Sequence, residues 1–75
     1  MPNSTDAKIG LKIRDIRNKK RLTGKSLTAK ALSLKLGWPE YRVSRIELAE
    51  IPITVRDIIT IAEALEVSPS EFLED

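Results

Sequence analysis

Between Lys8 and Arg45 the chain carries twelve lysines and arginines against two acids, Asp15 and Glu40, a net +10. From residue 46 to 75 the balance reverses: Arg56 stands alone against eight acids, a net −7. Asp6 completes the formal charge of +2. The chemistry such a division supports is attraction of a polyanion, DNA or RNA, to one end of a dipolar domain. Solvated helix faces are the plainer alternative. There is no Cys and no His, so a disulfide framework, the usual structural zinc site and the commonest general base are all missing. The acids gather away from the basic half, and no nucleophile and base pairing can be nominated. No enzyme activity, cofactor or metal is expected.

The elements that must carry this charge come from a single small domain, since 75 residues bury only roughly 60% of the unfolded surface and cannot support two cores. The apolar fraction of 41% argues against disorder. MPNSTDA lacks the order of a signal peptide, and no apolar run approaches the ~20 residues of a membrane span, so no membrane is expected and the compartment is expected to be the cytoplasm.

Ile9, Ile13 and Ile16 repeat at helical spacing with cations between them, which predicts an amphipathic helix over about 7–20, capped by Asp6 or Thr5 and preceded by a flexible arm at 1–7. From Thr54, a predicted N-cap with Asp57 three residues later, Val55, Ile58, Ile59, Ala62 and Leu65 mark a second helix. Ser68, Pro69 and Glu71 form a start signal for a short last helix carrying Phe72 and Leu73.

The middle is ambiguous. Leu32, Leu34 and Leu36 alternate with Ser33 and Lys35 as in a strand, but there is no second alternating run to pair with it. Residues 28–36 hold no Val or Ile, Gly37 suits a helix end, and Pro39 suits the start of another. The prediction is helix, tight turn, helix, with Val43 and Ile46 facing inward beside Trp38 or Leu48, and Glu40, Arg42 and Arg45 pointing elsewhere.

Leu32, Ser33, Leu36 and Gly37, followed by Val43, Ser44, Arg45, Ile46 and Glu47, resemble the pattern of the phage-repressor and Cro-like helix-turn-helix family, also called the xenobiotic-response-element family. Arg17 resembles the arginine near the end of that family's first helix, and residues 59–73 resemble its fourth and fifth helices, so the likeness spans about residues 8–73. It implies an all-α, compact five-helix bundle of the lambda-repressor-like DNA-binding type over 8–75, with the helix-turn-helix at about 28–47 and a recognition helix at about 39–47 in the major groove of double-stranded DNA.

Carried over position by position, the resemblance makes Glu40, Tyr41 and Arg45 base-contacting, Arg45 by bridging two acceptors on guanine and Glu40 by accepting from a cytosine amino group. The alternative for Glu40 is to favour the helix start through the dipole; for Tyr41, to half-bury its ring against Trp38. Arg42 and Ser44 fall nearer the phosphates. Where the family often has a polar phosphate contact at the start of helix two this chain has Ala29, and Lys25, Thr28 and Lys30 are expected to substitute. Glu47 is implied to pair structurally with Arg17.

The connection from Arg17 to Gly37 exceeds the family's usual length. Either the loop is extended and Leu27-Thr28 opens the helix, which is the preferred reading, or Leu22-Thr23 opens it. In the preferred register Leu27, Ala31 and Leu34 lie opposite Leu32 and Leu36. The resulting expectation is a bacterial or phage transcriptional regulator binding operator DNA as a homodimer, with Ile51-Pro52-Ile53 and Phe72-Leu73 as candidate dimer surfaces or ordinary core. The chain is either complete or a piece of a longer regulator. The alternative function is a protein-binding helical module whose basic face meets an acidic partner.

Overall fold

The computed structural model describes residues 4–22 and 25–73, with the side chains of residues 4, 21, 22, 25 and 26 outside the description. Four α-helices, α1 (Ser4–Lys19), α2 (Ala29–Lys35), α3 (Arg42–Glu47) and α4 (Val55–Leu65), are followed by a 3-10 turn, Pro69–Phe72. The all-α class stands. The fifth helix is a single 3-10 turn, and the long connection before α2 contains a minimal antiparallel ribbon, β1 (Arg21–Leu22) with β2 (Lys25–Ser26), in register Arg21 to Ser26 and Leu22 to Lys25.

α1 begins at Ser4 and not near residue 7, so residues 4–7 of the expected arm are helical. Asp6 lies within the first turn of α1; its carboxylate accepts the Ile53 N–H at 3.3 Å and ties this turn to the loop before α4. Of the arm, only residues 1–3 lie outside the described residues. α2 opens where the extended-loop reading puts it. Thr28 is its N-cap, with the hydroxyl oxygen accepting the Ala31 N–H at 3.0 Å, and the preceding Leu27 N–H reaches back to the Lys20 carbonyl at 3.4 Å.

The core is one cluster in which Ile13, Leu32, Val43, Ile46 and Ile61 are fully enclosed and Leu65 and Phe72 nearly so. Fully burying each aliphatic side chain contributes roughly 1.5–3 kcal/mol. Two expectations about burial change, and one open alternative is decided. Leu27 is buried and Ala31 packs on the core, leaving only Leu34 exposed of the three residues read as one opposing face. In α4 the inward stripe is Ile58, Ile61, Ala62 and Leu65, whereas Val55 and Ile59 are exposed. Phe72 is core, and Ile51 and Ile53 pack partly buried against it, so of the candidate dimer residues Pro52 and Leu73 remain exposed.

The helix ends follow local chemistry. Thr54 and Asp57 exchange side chain-to-backbone bonds at 3.0 and 3.3 Å, closing a capping box that satisfies donors the helix start would leave unpaired. Gly37, at φ 72, ends α2: its N–H bonds the Leu34 carbonyl and the Trp38 N–H bonds the Ser33 carbonyl, the paired bonds of a Schellman end. The ends of α3 and α4 repeat the pattern on Ala49 (φ 56) and Glu66 (φ 60), positions where an L side chain costs what glycine does not.

Candidate nucleic-acid interface

α3 is six residues long and makes no side-chain cap of its own, so its neighbours must place it. At its start, the buried Ser33 hydroxyl oxygen of α2 accepts the Val43 N–H at 3.0 Å. At its end, Gly10 of α1 lies so close to the Ile46 and Glu47 carbonyls that a Cβ there would collide with backbone. Glu47 then accepts from Arg17 in fork geometry, Nε to Oε2 at 2.6 Å and Nη2 to Oε1 at 2.9 Å, while Arg17 Nη1 donates to the Leu27 carbonyl at 2.8 Å. The two side chains are 10% and 5% exposed. A paired guanidinium with each of its three nitrogens hydrogen-bonded is what makes burial of these charges tolerable. Arg17 thus joins α1, α3 and Leu27, the residue before the α2 cap.

The recognition element starts at Arg42, later than the expected 39. Trp38, which precedes a proline, is biased against helical backbone, and residues 39–41 form a turn closed by Arg42 N–H to the Pro39 carbonyl at 3.1 Å. That turn and the outward side of α3 bring Tyr41 and Arg45, four positions apart, onto an exposed edge. They share with Pro39, Arg42 and Ile51 an open groove of about 330 Å³. Tyr41 is 63% exposed and so does not half-bury against Trp38; the partner of Trp38 is Arg42, whose guanidinium sits 4.6 Å from the ring centroid.

Arg42, expected nearer the phosphates, is engaged within the protein. Its Nη2 donates to Asp57 Oδ1 at 2.9 Å, and its Nε is buried without a hydrogen-bond partner. Burial alone pushes the Asp57 carboxyl up, but the bonds from Arg42 and Thr54 outweigh it and hold the group below the ordinary carboxylate range. Of the other expected contacts, Ser44 is half-buried, Thr28 is exposed at the start of α2, and Lys30 pairs with Glu40 at 3.1 Å. The hydrogen bond and charge of Glu40 raise the Lys30 pKa. Lys25 lies in β2 with its side chain outside the described residues.

Sequence reasoning missed Gly10, the pairing of Asp57 with Arg42 and the capping role of Ser33. Gly10 had a signal, since glycine inside an amphipathic helix costs roughly 0.5–1 kcal/mol relative to Ala and calls for a packing reason. No helix among the described residues is long and apolar enough to cross a membrane, and no group of three or more His, Cys, Asp or Glu is placed to hold a metal.

Comparison with known proteins agrees with this geometry. The high-resolution crystal structure of the restriction-modification controller protein C.AhdI from Aeromonas hydrophila superposes with a TM-score of 0.76 at 24% sequence identity, covering 93% of this chain and 98% of that one, a likeness of fold. No curated protein matches the chain significantly. A family profile described as Helix-turn-helix matches residues 13–72, from the core of α1 to the closing turn. That match spans most of the chain, which belongs to the Cro/C1-type helix-turn-helix family of DNA-binding transcriptional regulators, which are not enzymes.

Proposed function

We propose that the chain is a sequence-specific repressor or activator that inserts the outward edge of α3 into the major groove of operator DNA. The observation that carries this reading is the pairing of an exposed Arg45 and Tyr41 with a helix whose remaining faces are committed to the protein. B-DNA's major groove admits one helix, and a guanidinium bridges the two acceptors of guanine there. The start of α2, with the Thr28 hydroxyl and free N–H groups, faces the phosphates, and Lys25 with the lysines of α1 adds sequence-independent attraction. Ser44 lies at the rim of this contact, and Glu40 reads a base.

One such domain covers too little DNA for tight selective binding, so the functional unit is a homodimer on a two-fold symmetric operator with half-sites about one helical turn apart. Val55 and Ile59, four residues apart on α4 and both exposed, supply apolar area for the second copy. The site of action is the cytoplasm of a bacterium, with the gene carried by the bacterium or a phage.

Selection of bound duplexes from a random pool, followed by titration of the selected sequence over salt, tests this. The expected result is an inverted-repeat sequence whose affinity falls steeply between about 50 and 200 mM salt. Failure to enrich any sequence, with no binding to mixed duplex at low salt, would replace the DNA reading with that of a helical module for an acidic protein.

A further inference from the structure

Lys30 in the first turn of α2 and Glu40 in the turn that delivers α3 are joined, Nζ to Oε1, at 3.1 Å. Each residue taken alone has an obvious role: a lysine beside a helix start would anchor a phosphate, and a glutamate at the DNA-facing edge would repel one. Paired, neither role holds. The charges cancel at a distance, so Lys30 adds little to the attraction of a polyanion, and one carboxylate oxygen is already claimed. Both side chains stand in water, 62% and 41% exposed, where an ion pair does little for stability. What the contact does is geometric, because it spans the two halves of the helix-turn-helix and restricts one of the side chains with the most rotamer freedom to lose.

We infer that Lys30 is a positioning residue for base recognition, holding the Glu40 carboxylate at the leading edge of α3 so that Oε2 accepts from an exocyclic amino group in the major groove, that of cytosine. A carboxylate is an acceptor only, and the cytosine edge offers a lone donor without an adjacent acceptor to repel it. The tether orders Glu40 before DNA arrives, which removes part of the cost of fixing it on binding. This rests on the operator-reading function proposed above and adds the residue through which Glu40 selects its base.

The test is a double-mutant cycle, Lys30→Ala, Glu40→Ala and both, on the duplex selected for the unaltered protein and on the same duplex with each base pair replaced in turn. Circular dichroism confirms folding, and Lys30→Met, which keeps the aliphatic stem, repeats the measurement. Positioning predicts that either single change lowers the preference for one C·G pair by about fivefold, that the double change is no worse than Glu40→Ala, that the salt slope of the double variant equals that of Glu40→Ala, and that Lys30→Arg retains the preference. A loss from Lys30→Ala that is equal on all sequences, persists in the Glu40→Ala background and flattens the salt slope by about one phosphate makes Lys30 an ordinary anchor and overturns the inference. An unchanged base preference in Glu40→Ala overturns it as well, while leaving the DNA-binding function standing. Failure to select any duplex removes both.

Discussion

Ser33 and Val43 share a hydrogen bond that crosses the turn of the motif: the hydroxyl oxygen of one accepts the backbone N–H of the other at 3.0 Å, and both residues are fully buried. Tyr41, at the cap position of α3, makes no side-chain cap bond, so Ser33, ten positions before Val43, serves a donor the helix start would otherwise strand. Ser33→Ala leaves that N–H buried without a partner, and the expected cost is about 1–3 kcal/mol of folding stability. Urea denaturation measures it, and a midpoint unchanged from the unaltered protein would mean that the bond does nothing for the turn.

Arg17 and Glu47 make a second link, from α1 to the far end of α3. Removing one partner strands a buried charge, and Glu47→Ala is expected to cost on the order of 3–5 kcal/mol, a large share of the stability of a domain this small. Replacing both, as in Arg17→Met with Glu47→Leu, is expected to be milder than either single loss, because no lone charge remains. Thermal unfolding of the three variants decides, and equal losses in all of them would mean that the pair acts through packing alone.

Gly10 offers a contest between two effects of opposite sign. Alanine is the better helix former by roughly 1 kcal/mol, so on propensity alone Gly10→Ala stabilises α1. The new Cβ would run into the Glu47 and Ile46 carbonyls, which are backbone and cannot swing aside, and overpacking of this kind costs typically 1–3 kcal/mol or more. A net loss of stability is expected, along with weaker DNA binding as α3 is pushed outward. A Gly10→Ala protein more stable than its parent would show that α1 and α3 have room to separate.

These contacts mark the boundary of what the sequence made legible. Thr54 with Asp57, Ser68 with Glu71, and Gly37 announced their helix ends because capping depends on residues only three or four positions apart. The inward stripe of α4 was half legible: periodicity located the helix, but not that Ile61 faces in while Val55 and Ile59 face out. The ribbon at 21–26 was hidden because two-residue strands are too short to show alternation. Arg42 resisted for a different reason. Its partners, Trp38 and Asp57, are four positions before it and fifteen after, and only the folded chain turns the guanidinium inward onto both.

That inward turn gives Asp57 a pH dependence. Its carboxyl is held below the ordinary value of 3.8, so the folded state binds its proton less readily than the unfolded chain does. The stability this contributes is present in full above the ordinary carboxylate range and is lost as pH falls through the depressed value. In Asp57→Asn that part of the acid sensitivity should disappear, leaving a protein weaker at pH 7 but with a shallower decline toward pH 3. Urea midpoints at several pH values show it; parallel pH profiles for the two proteins would remove Asp57 from the account.

Arg45 is exposed beside Tyr41, and among the described residues its guanidinium makes no ion pair or hydrogen bond to another side chain, in contrast to Arg17 and Arg42. Three arginines of one domain are thus divided by partner: two are held by carboxylates and one is left to meet a ligand. A guanidinium that bridges guanine is worth about 1–3 kcal/mol of discrimination, so Arg45→Ala is expected to lower affinity for the selected operator by roughly 5- to 150-fold, to relax the preference at one base pair per half-site and to leave thermal stability within about 0.5 kcal/mol of the parent, as for other surface positions. Lysine at the same position restores attraction to phosphate without the two-pronged contact, and Arg45→Lys should recover part of the affinity but little of the base preference. If Arg45→Ala weakens binding to every duplex equally and leaves the selected sequence unchanged, the edge of α3 touches the backbone of the DNA and the reading of bases lies elsewhere on the protein.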